Sequence, residues 1–207
     1  PPAAALEALL AALLDAPAQP VLLEALGPPA RLLVGYAGTA AEVDFAVAEA
    51  SRIAQKVLGF AGETAVAVPW EGAHAEALAA HRGGEDAALT LRLHVPSSHV
   101  AALLEQVAKD AAAGGVPCRY AVHAAVGIAR VHLGGASEQA LQSLVENWLS
   151  AARRRGGNLV VERAPLPLKR ALPVWGEPPP ALFLMRALKE KFDPHRILNP
   201  GRYVGGM

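Results

Sequence analysis

The chain has 207 residues, 53% of them hydrophobic, which is enough for the core of one large domain or two small ones. Its 19 Lys and Arg residues balance 19 Asp and Glu residues, and only 5% of the residues are aromatic. The charge balance argues against a general attraction to nucleic acid or to an anionic membrane, and the scarcity of aromatic residues disfavours a base-stacking surface.

The single cysteine and the absence of a long apolar run bear on the cellular compartment of the protein. Cys118 cannot form an internal disulfide, and we expect it to be a small buried hydrophobe that opens a strand. No segment reaches the roughly 20 apolar residues of a membrane span, and the opening PPAAALEALLAALLD lacks the basic region of a signal peptide. We expect a cytoplasmic protein, either free or associated with a membrane through a complex.

Residues 1–87 are predicted to form an α+β unit. The elements expected here are a helix at 3–14, strands at 20–26 and 31–38, a helix from Thr39, a short strand at 65–70 and a weak helix from Gly72. Thr39 followed three residues later by Glu42 predicts a capping box, in which each side chain binds the backbone of the other.

Residues 88–164 have the clearest pattern. The expected elements are a strand at 88–95, a helix at 98–113 capped by Ser97 or Ser98, two strands within 118–133 broken near 124–127, a helix at 137–154 capped by Ser137, and a strand at 158–164. This order predicts a ferredoxin-like antiparallel sheet with helices on one face. Four side chains are expected between these helices and the sheet: Leu103, Val107, Leu144 and Trp148. Residues 1–87 could repeat part of this order of strands and helices, which would make them a second half related to residues 88–164.

Motifs for self-contained chemistry are absent from the sequence. It has no GxGxxG after a strand, no GxxxxGK[ST], no HExxH and no GxSxG. The seven histidines show no tight metal-binding spacing, so no metal site is predicted. Three histidines could converge from adjacent strands: His94, His123 and His132. Arg92, Arg119 and Arg130 also lie on predicted strands, where they would either bind a carboxylate or merely solvate an exposed sheet face.

The last segment, 165–207, predicts a helix and a rigid C-terminal clasp. Pro179 and Pro180 are expected to start the helix, whose buried stripe is expected to be Ala181, Leu184, Met185, Leu188 and Phe192. Asp193 is expected to cap a short turn, and Asn199-Pro200-Gly201 is typical of a type II turn. The bent chain would present Asn199 and Arg202. A plain structural clasp is the alternative.

The stretch KxxFDPxxILNPGR, which ends at Arg202, resembles the C-terminal signature of FAD-linked oxidases of the vanillyl-alcohol oxidase / p-cresol methylhydroxylase superfamily. The longer stretch 174–207 resembles the FAD-binding subunits of bacterial glycolate oxidases. The resemblance implies an FAD enzyme in which this chain is the cap half and the tail returns to a flavin domain. Since the Gly-rich loops of such a domain are missing here, we expect a part of a larger protein.

The resemblance also implies an activity, in which a flavin takes a hydride from C2 of a small 2-hydroxy acid. Arg92, His123 and Arg130 would then hold the substrate carboxylate, while Asn199 and Arg202 would contact FAD held mainly by the missing flavin domain. No catalytic residue is assigned. The alternative is a non-catalytic assembly module in a complex with a second flavin subunit and an iron–sulfur subunit. A free-standing small-molecule sensor is a weaker idea, because a sensor has no use for the clasp.

Overall fold

Six strands form one antiparallel sheet, and most helices pack against one of its faces. The computed structural model describes residues 3–28, 30–59, 68–84 and 86–207. In these ranges the strands are β1 Leu22–Gly27, β2 Arg31–Gly35, β3 Leu89–His94, β4 Cys118–His123, β5 Ile128–Leu133 and β6 Asn158–Arg163. The helices are α1 Ala3–Leu14, α2 Ala40–Leu58, α3 Gly72–Arg82, α4 Val100–Ala113, α5 Glu138–Arg154, α6 Leu166–Ala171 and α7 Leu182–Phe192.

The strand order is β2-β1-β4-β5-β3-β6, and each neighbouring pair is antiparallel. Strands β4, β5, β3 and β6 with helices α4 and α5 have the chain order and pairing of a ferredoxin-like unit, so the predicted α+β fold class is confirmed. Strands β1 and β2 extend the same sheet beyond β4. The division of the chain at residues 87 and 164 stays a prediction.

The main core lies between the sheet and helices α4 and α5. Leu89, Leu91 and Leu93 alternate along β3, and each is fully buried on this side. The four side chains predicted between helices and sheet are all buried: Leu103, Val107, Leu144 and Trp148. A smaller cluster on the same side joins α1, α2 and β1 through Leu9, Leu13, Leu23 and Ile53. Helix α1, whose bounds match the predicted helix at 3–14, therefore contributes its leucines to this cluster.

Capping residues in the sequence predicted the starts of α2 and α5 correctly. The Thr39 side chain and Glu42 form the predicted capping box at the start of α2, and Ser137 caps α5 by accepting from the Ala140 amide. The predicted cap at Ser97 or Ser98 is wrong. Both serines lie in a single 3-10 turn that precedes α4, so the helix proper begins at Val100.

Helix α3 lies on the opposite face of the sheet, over β1 and β4. Its Leu78 is buried against Leu26 and Ala121. A salt bridge joins Arg82, the last residue of α3, to Glu24, which is only 1% exposed. Residues 65–67 of the predicted strand at 65–70 lie outside the described residues, and the described part, 68–70, has no regular structure.

The tail is attached to the outer strand β6. The Val161 amide donates to the Val174 carbonyl at 2.7 Å, and the Asn158 side chain donates to the Trp175 carbonyl at 3.1 Å. Short helix α6, which the sequence did not predict, adds Leu168 to the core, and Leu172, directly after the helix, is buried there too.

The buried stripe predicted for the tail helix is wrong. No side chain of α7 is buried by the described part of the chain, and Leu188 and Phe192 are 57% and 76% exposed. The amphipathic pattern is present, but α7 makes no extensive contact with another helix or strand of the described chain, so its apolar side chains stay exposed.

Trp148 tests the packing between α5, α4 and the sheet. Its ring is fully buried, and Nε1 donates to Asp110 Oδ2 at 3.0 Å. We expect Trp148→Ala to lower the free energy of unfolding by about 3–5 kcal/mol, because it leaves a cavity and an unpartnered carboxylate. Urea denaturation followed by far-UV circular dichroism measures this. Trp70 is 58% exposed, so Trp70→Ala is the control. Equal losses for the two variants would contradict the packing described.

Candidate functional site

Polar side chains occupy the sheet face opposite α4 and α5. Arg92 and His94 alternate along β3 with the buried leucines and therefore lie on this face. The register places Arg130 opposite Arg92, and it places Ile128 between His94 and His123. We use the term open face for the surface formed by Arg92, His94, His123, Arg130 and Glu162.

Arg92 and Arg130 share one carboxylate on the open face. Arg92 Nε lies 3.6 Å from Glu162 Oε1, and Arg130 Nε donates to Glu162 Oε2 at 3.1 Å. The two arginine side chains are 42% and 43% exposed, and that of Glu162 is 29% exposed. The structure thus brings two of the predicted substrate residues together around Glu162, an acidic residue that was not predicted from the sequence.

His123 lies on the same face but on the next row of side chains. It is exposed at the end of β4, directly opposite Glu24 on one side and Ile128 on the other. Within the described residues it forms no side-chain hydrogen bond with Arg92 or Arg130, so it borders the arginine pair without joining it. Its place in substrate binding stays a prediction.

His132 is separated from the other two strand histidines. It is 2% exposed, and its Nδ1 lies 3.2 Å from Thr90 Oγ1. Gly84, in the loop after α3, lies against the His132 ring, and Arg119 fixes this loop by donating to the Gly83 carbonyl and the Asp86 carboxylate. The three strand histidines, His94, His123 and His132, therefore do not converge.

Burial and nearby charges shift the pKa values of His132 and Asp86, the two titratable groups at this contact. Removal from water lowers the pKa of His132, and the neighbouring Arg119 guanidinium lowers it further. The hydrogen bonds from Arg119 lower the pKa of Asp86 to about 2. At neutral pH, His132 is therefore an uncharged imidazole beneath a charged Arg119–Asp86 pair.

His132 makes the stability of the fold depend on pH. The unfolded imidazole, with its ordinary pKa of 6.5, takes up a proton as the pH falls, whereas the folded imidazole resists it. The unfolded state then binds more protons, so the free energy of unfolding should fall as the pH drops below about 6.5. We expect this slope, measured by urea denaturation, to be shallower in His132→Gln. His195→Gln, at an exposed tail position, should keep the parent slope. Identical slopes in all three proteins would contradict the assignment.

Residues of the tail line an open cavity of about 500 Å³. The residues that line this tail pocket are Met185, Lys189, Leu198, Asn199, Arg202, Tyr203 and Met207. Both predicted cofactor residues, Asn199 and Arg202, are among them. Lys189 and Tyr203 also line the pocket but were not predicted from the sequence. The spacing of Lys189 and Asp193 is that of an ion pair on a helix, and this could have indicated Lys189.

Asp193 holds the wall of the tail pocket in place. It is 4% exposed and accepts from the Ile197 amide at 2.9 Å and the Leu198 amide at 3.1 Å. An N-cap accepts from the amides two or three residues on, so Asp193 binds the end of the turn and not its start, as the predicted capping would have required. Lys189 forms a salt bridge with it and donates to the Leu198 carbonyl at 2.6 Å. These contacts, led by that of Lys189, lower the pKa of Asp193.

The predicted type II turn is present at the rim of the pocket. The Arg202 amide donates to the Asn199 carbonyl at 3.2 Å, and Gly201 has a φ of 72°. Tyr203, the next residue, packs edge-to-face on Trp175 with ring centroids 5.3 Å apart. The turn therefore directs Asn199 and Arg202 to one side while the aromatic pair ties the tail to the segment along β6.

A second cavity, of about 620 Å³, lies on the helix side of the sheet among α1, α2, β2 and α4. Aliphatic side chains such as Leu6, Leu32 and Leu104 make up most of its lining. It is on the face opposite the arginine pair, and its mostly aliphatic lining suits an apolar group better than a carboxylate.

Two other kinds of site were searched for in the described ranges. No group of three or more His, Cys, Asp or Glu residues there could hold a metal ion. Among the described helices, none is long and apolar enough to cross a membrane. Cys118 opens β4 beside the core, and burial raises the pKa of its thiol to about 11, as suits an unreactive packing residue.

Comparison with protein families matches nearly the whole chain. The family model described as FAD linked oxidases, C-terminal domain, matches residues 11–203. This range contains the complete sheet and every residue of the open face, and it ends within the tail pocket. No curated protein matches the chain.

Proposed function

The chain belongs to the C-terminal domain family of FAD-linked oxidases, and from this premise we propose that it is the cap domain of an FAD-dependent 2-hydroxyacid oxidoreductase of glycolate oxidase type. The observation that carries the choice of substrate is the pair Arg92 and Arg130 on the open face, with His123 on the same face. Guanidinium groups bind carboxylates through paired, charge-assisted hydrogen bonds, so this surface suits a small carboxylic acid.

In this proposal the domain binds and orients the acid. Arg92 and Arg130 hold the substrate carboxylate, and His123 lies at the border of the site where it can contact the 2-hydroxyl group. When bound, FAD supplies the ring that accepts the hydride from C2 of the acid. The contribution of this chain is to fix the position of the acid, since productive geometry alone lowers the barrier substantially.

The tail pocket fits a contact with FAD but not its main binding site. Arg202, Asn199 and Tyr203 offer a guanidinium, a carboxamide and a phenol at the rim of one cavity. The sequence has no Gly-rich loop at a helix N-terminus of the kind that binds a pyrophosphate. We therefore assign the pyrophosphate to a flavin domain outside this sequence, with Asn199 and Arg202 contacting the cofactor from the cap.

The arginine pair is tested in the holoenzyme that contains this domain together with its flavin domain. Arg92→Ala and Arg130→Ala should each raise KM for a 2-hydroxy acid by about tenfold or more, because a charge-assisted hydrogen bond to the carboxylate is lost. Steady-state kinetics with glycolate measures the change. Arg154→Ala, which removes an exposed guanidinium from α5, is the matched control and should leave KM unchanged. Values within twofold of the parent for both open-face variants would remove the pair from the site.

The cofactor assignment gives a separate expectation. The purified chain should be colourless, and visible flavin absorbance should appear only when the flavin domain is supplied. In that holoenzyme, Asn199→Gly and Arg202→Ala should weaken flavin retention, measured by release on dilution. Glycine is chosen because Asn199 has a φ of 47°, which alanine tolerates poorly. Lys191→Ala, on exposed α7, is the control. A yellow chain that carries one FAD per molecule would show that the main site lies here.

A non-catalytic assembly role is the second candidate, and the outward apolar side of the tail favours it. Six apolar side chains of this segment are between 54% and 76% exposed: Phe183, Leu184, Leu188, Phe192, Ile197 and Leu198. Apolar patches of this kind mark protein interfaces. The flavin domain is the first partner we propose for it, and the second flavin subunit and the iron–sulfur subunit of a glycolate oxidase complex are the others. Unchanged KM in the arginine variants, with loss of complex formation in Phe192→Asp, would favour assembly over substrate binding.

A further inference from the structure

We propose that Glu162 is a positioning residue that sets the charge preference of the Arg92–Arg130 pair. With Glu162 in place, the pair accepts an acid of one negative charge and disfavours a dianion. This inference rests on the proposed function, because it assumes that the two arginines receive the substrate carboxylate. It adds the class of substrate, a small monocarboxylate, and the residue that selects it.

The register of the sheet puts two like charges face to face. Arg92 and Arg130 are direct partners across the β3–β5 ladder. Like charges directly opposite one another destabilise an antiparallel pair, so this arrangement needs an anion nearby. Glu162 supplies one from the adjacent strand β6, with one carboxylate oxygen toward each arginine.

A register irregularity places Glu162 in this position. Leu91 pairs with Val161 but Thr90 pairs with Arg163, so the register shifts by one residue and Glu162 has no direct partner on β3. Bulges of this kind redirect side chains and are frequent beside active sites. Val161 remains in the core, while Glu162 reaches across β3 to Arg130 on the second strand away.

The contacts of Glu162 leave the outer edges of both guanidinium groups available. Each arginine meets the carboxylate through Nε. In the described ranges, no hydrogen bond uses the Nη nitrogens of Arg92 or Arg130. The two Nη nitrogens of a guanidinium form an edge that matches the two oxygens of a carboxylate. Glu162 therefore orients the pair and leaves it able to bind a second carboxylate.

The preference for a monoanion over a dianion follows from the sum of the charges of Arg92, Arg130 and Glu162. Two guanidinium groups and one carboxylate leave a single positive charge, which a monoanion neutralises and a dianion overcompensates. Of the other charges nearby, Arg119 is paired with Asp86, whereas Arg163 donates to the neutral Gly84 carbonyl at 2.8 Å and keeps its positive charge. These contribute equally in the parent and in a Glu162 variant, so they cancel in the comparison.

The test titrates glycolate, a monoanion, and oxalate, a dianion, into the chain at neutral pH and low salt, with binding followed by NMR. Glu162→Gln removes the repulsion between Glu162 and each ligand charge. The dissociation constant should therefore fall by about fivefold for glycolate and by about 25-fold for oxalate. Glu162→Asp should retain the preference of the parent. A merely structural role for Glu162 would change both constants by the same factor.

Three further measurements separate the possible failures. Glu146→Gln removes one exposed charge from α5, so it matches the change in net charge and should leave both constants as in the parent. If Arg92→Ala/Arg130→Ala abolishes binding of both anions but Glu162→Gln leaves their ratio unchanged, the inference about Glu162 is overturned and the proposed site stands. If neither anion binds to the parent or to Glu162→Gln, the proposed carboxylate site fails and the inference fails with it.

Discussion

The alternation of side chains along the antiparallel strands is the constraint on which the rest of this structure depends. On β3, Leu89, Leu91 and Leu93 face the helices, which forces Arg92 onto the other side of the sheet. A shift of one residue would exchange the two sets, so burial of the leucines fixes the register strongly. The same strand therefore builds the core and presents the candidate substrate site, and neither can change without the other.

The two faces of the sheet are used unequally. Helices α4 and α5 cover one face with a close-packed layer, whereas α3 covers only the part of the other face over β1 and β4. The buried Glu24 at the edge of that part is neutralised by Arg82, as a buried carboxylate must be. The remaining part keeps its arginines half-exposed, and half-exposed charges can exchange water for a ligand at modest cost.

The tail combines a rigid backbone with an uncovered apolar surface. Asp193, Lys189 and the turn at Gly201 fix its shape through hydrogen bonds that close within the segment itself. The apolar side of α7, by contrast, is left outward. A segment that is ordered locally and apolar externally suits recognition of another surface, because little conformational entropy is lost on docking. This supports a cap that works against a second domain.

Local chemistry determined which elements form, and the sequence therefore predicted most helices and strands, the capping box at Thr39 and the turn at Asn199. Each of these depends on residues a few positions apart, with periods of 3.6 or 2 that can be counted along the chain. Tertiary structure alone decided that α3 crosses to the other face, that the described part of the chain leaves α7 uncovered and that Glu162 joins Arg130 from 32 residues away. Those outcomes depend on strand order and on a one-residue register shift in β6, because contacts between distant residues are set by pairing and not by local sequence.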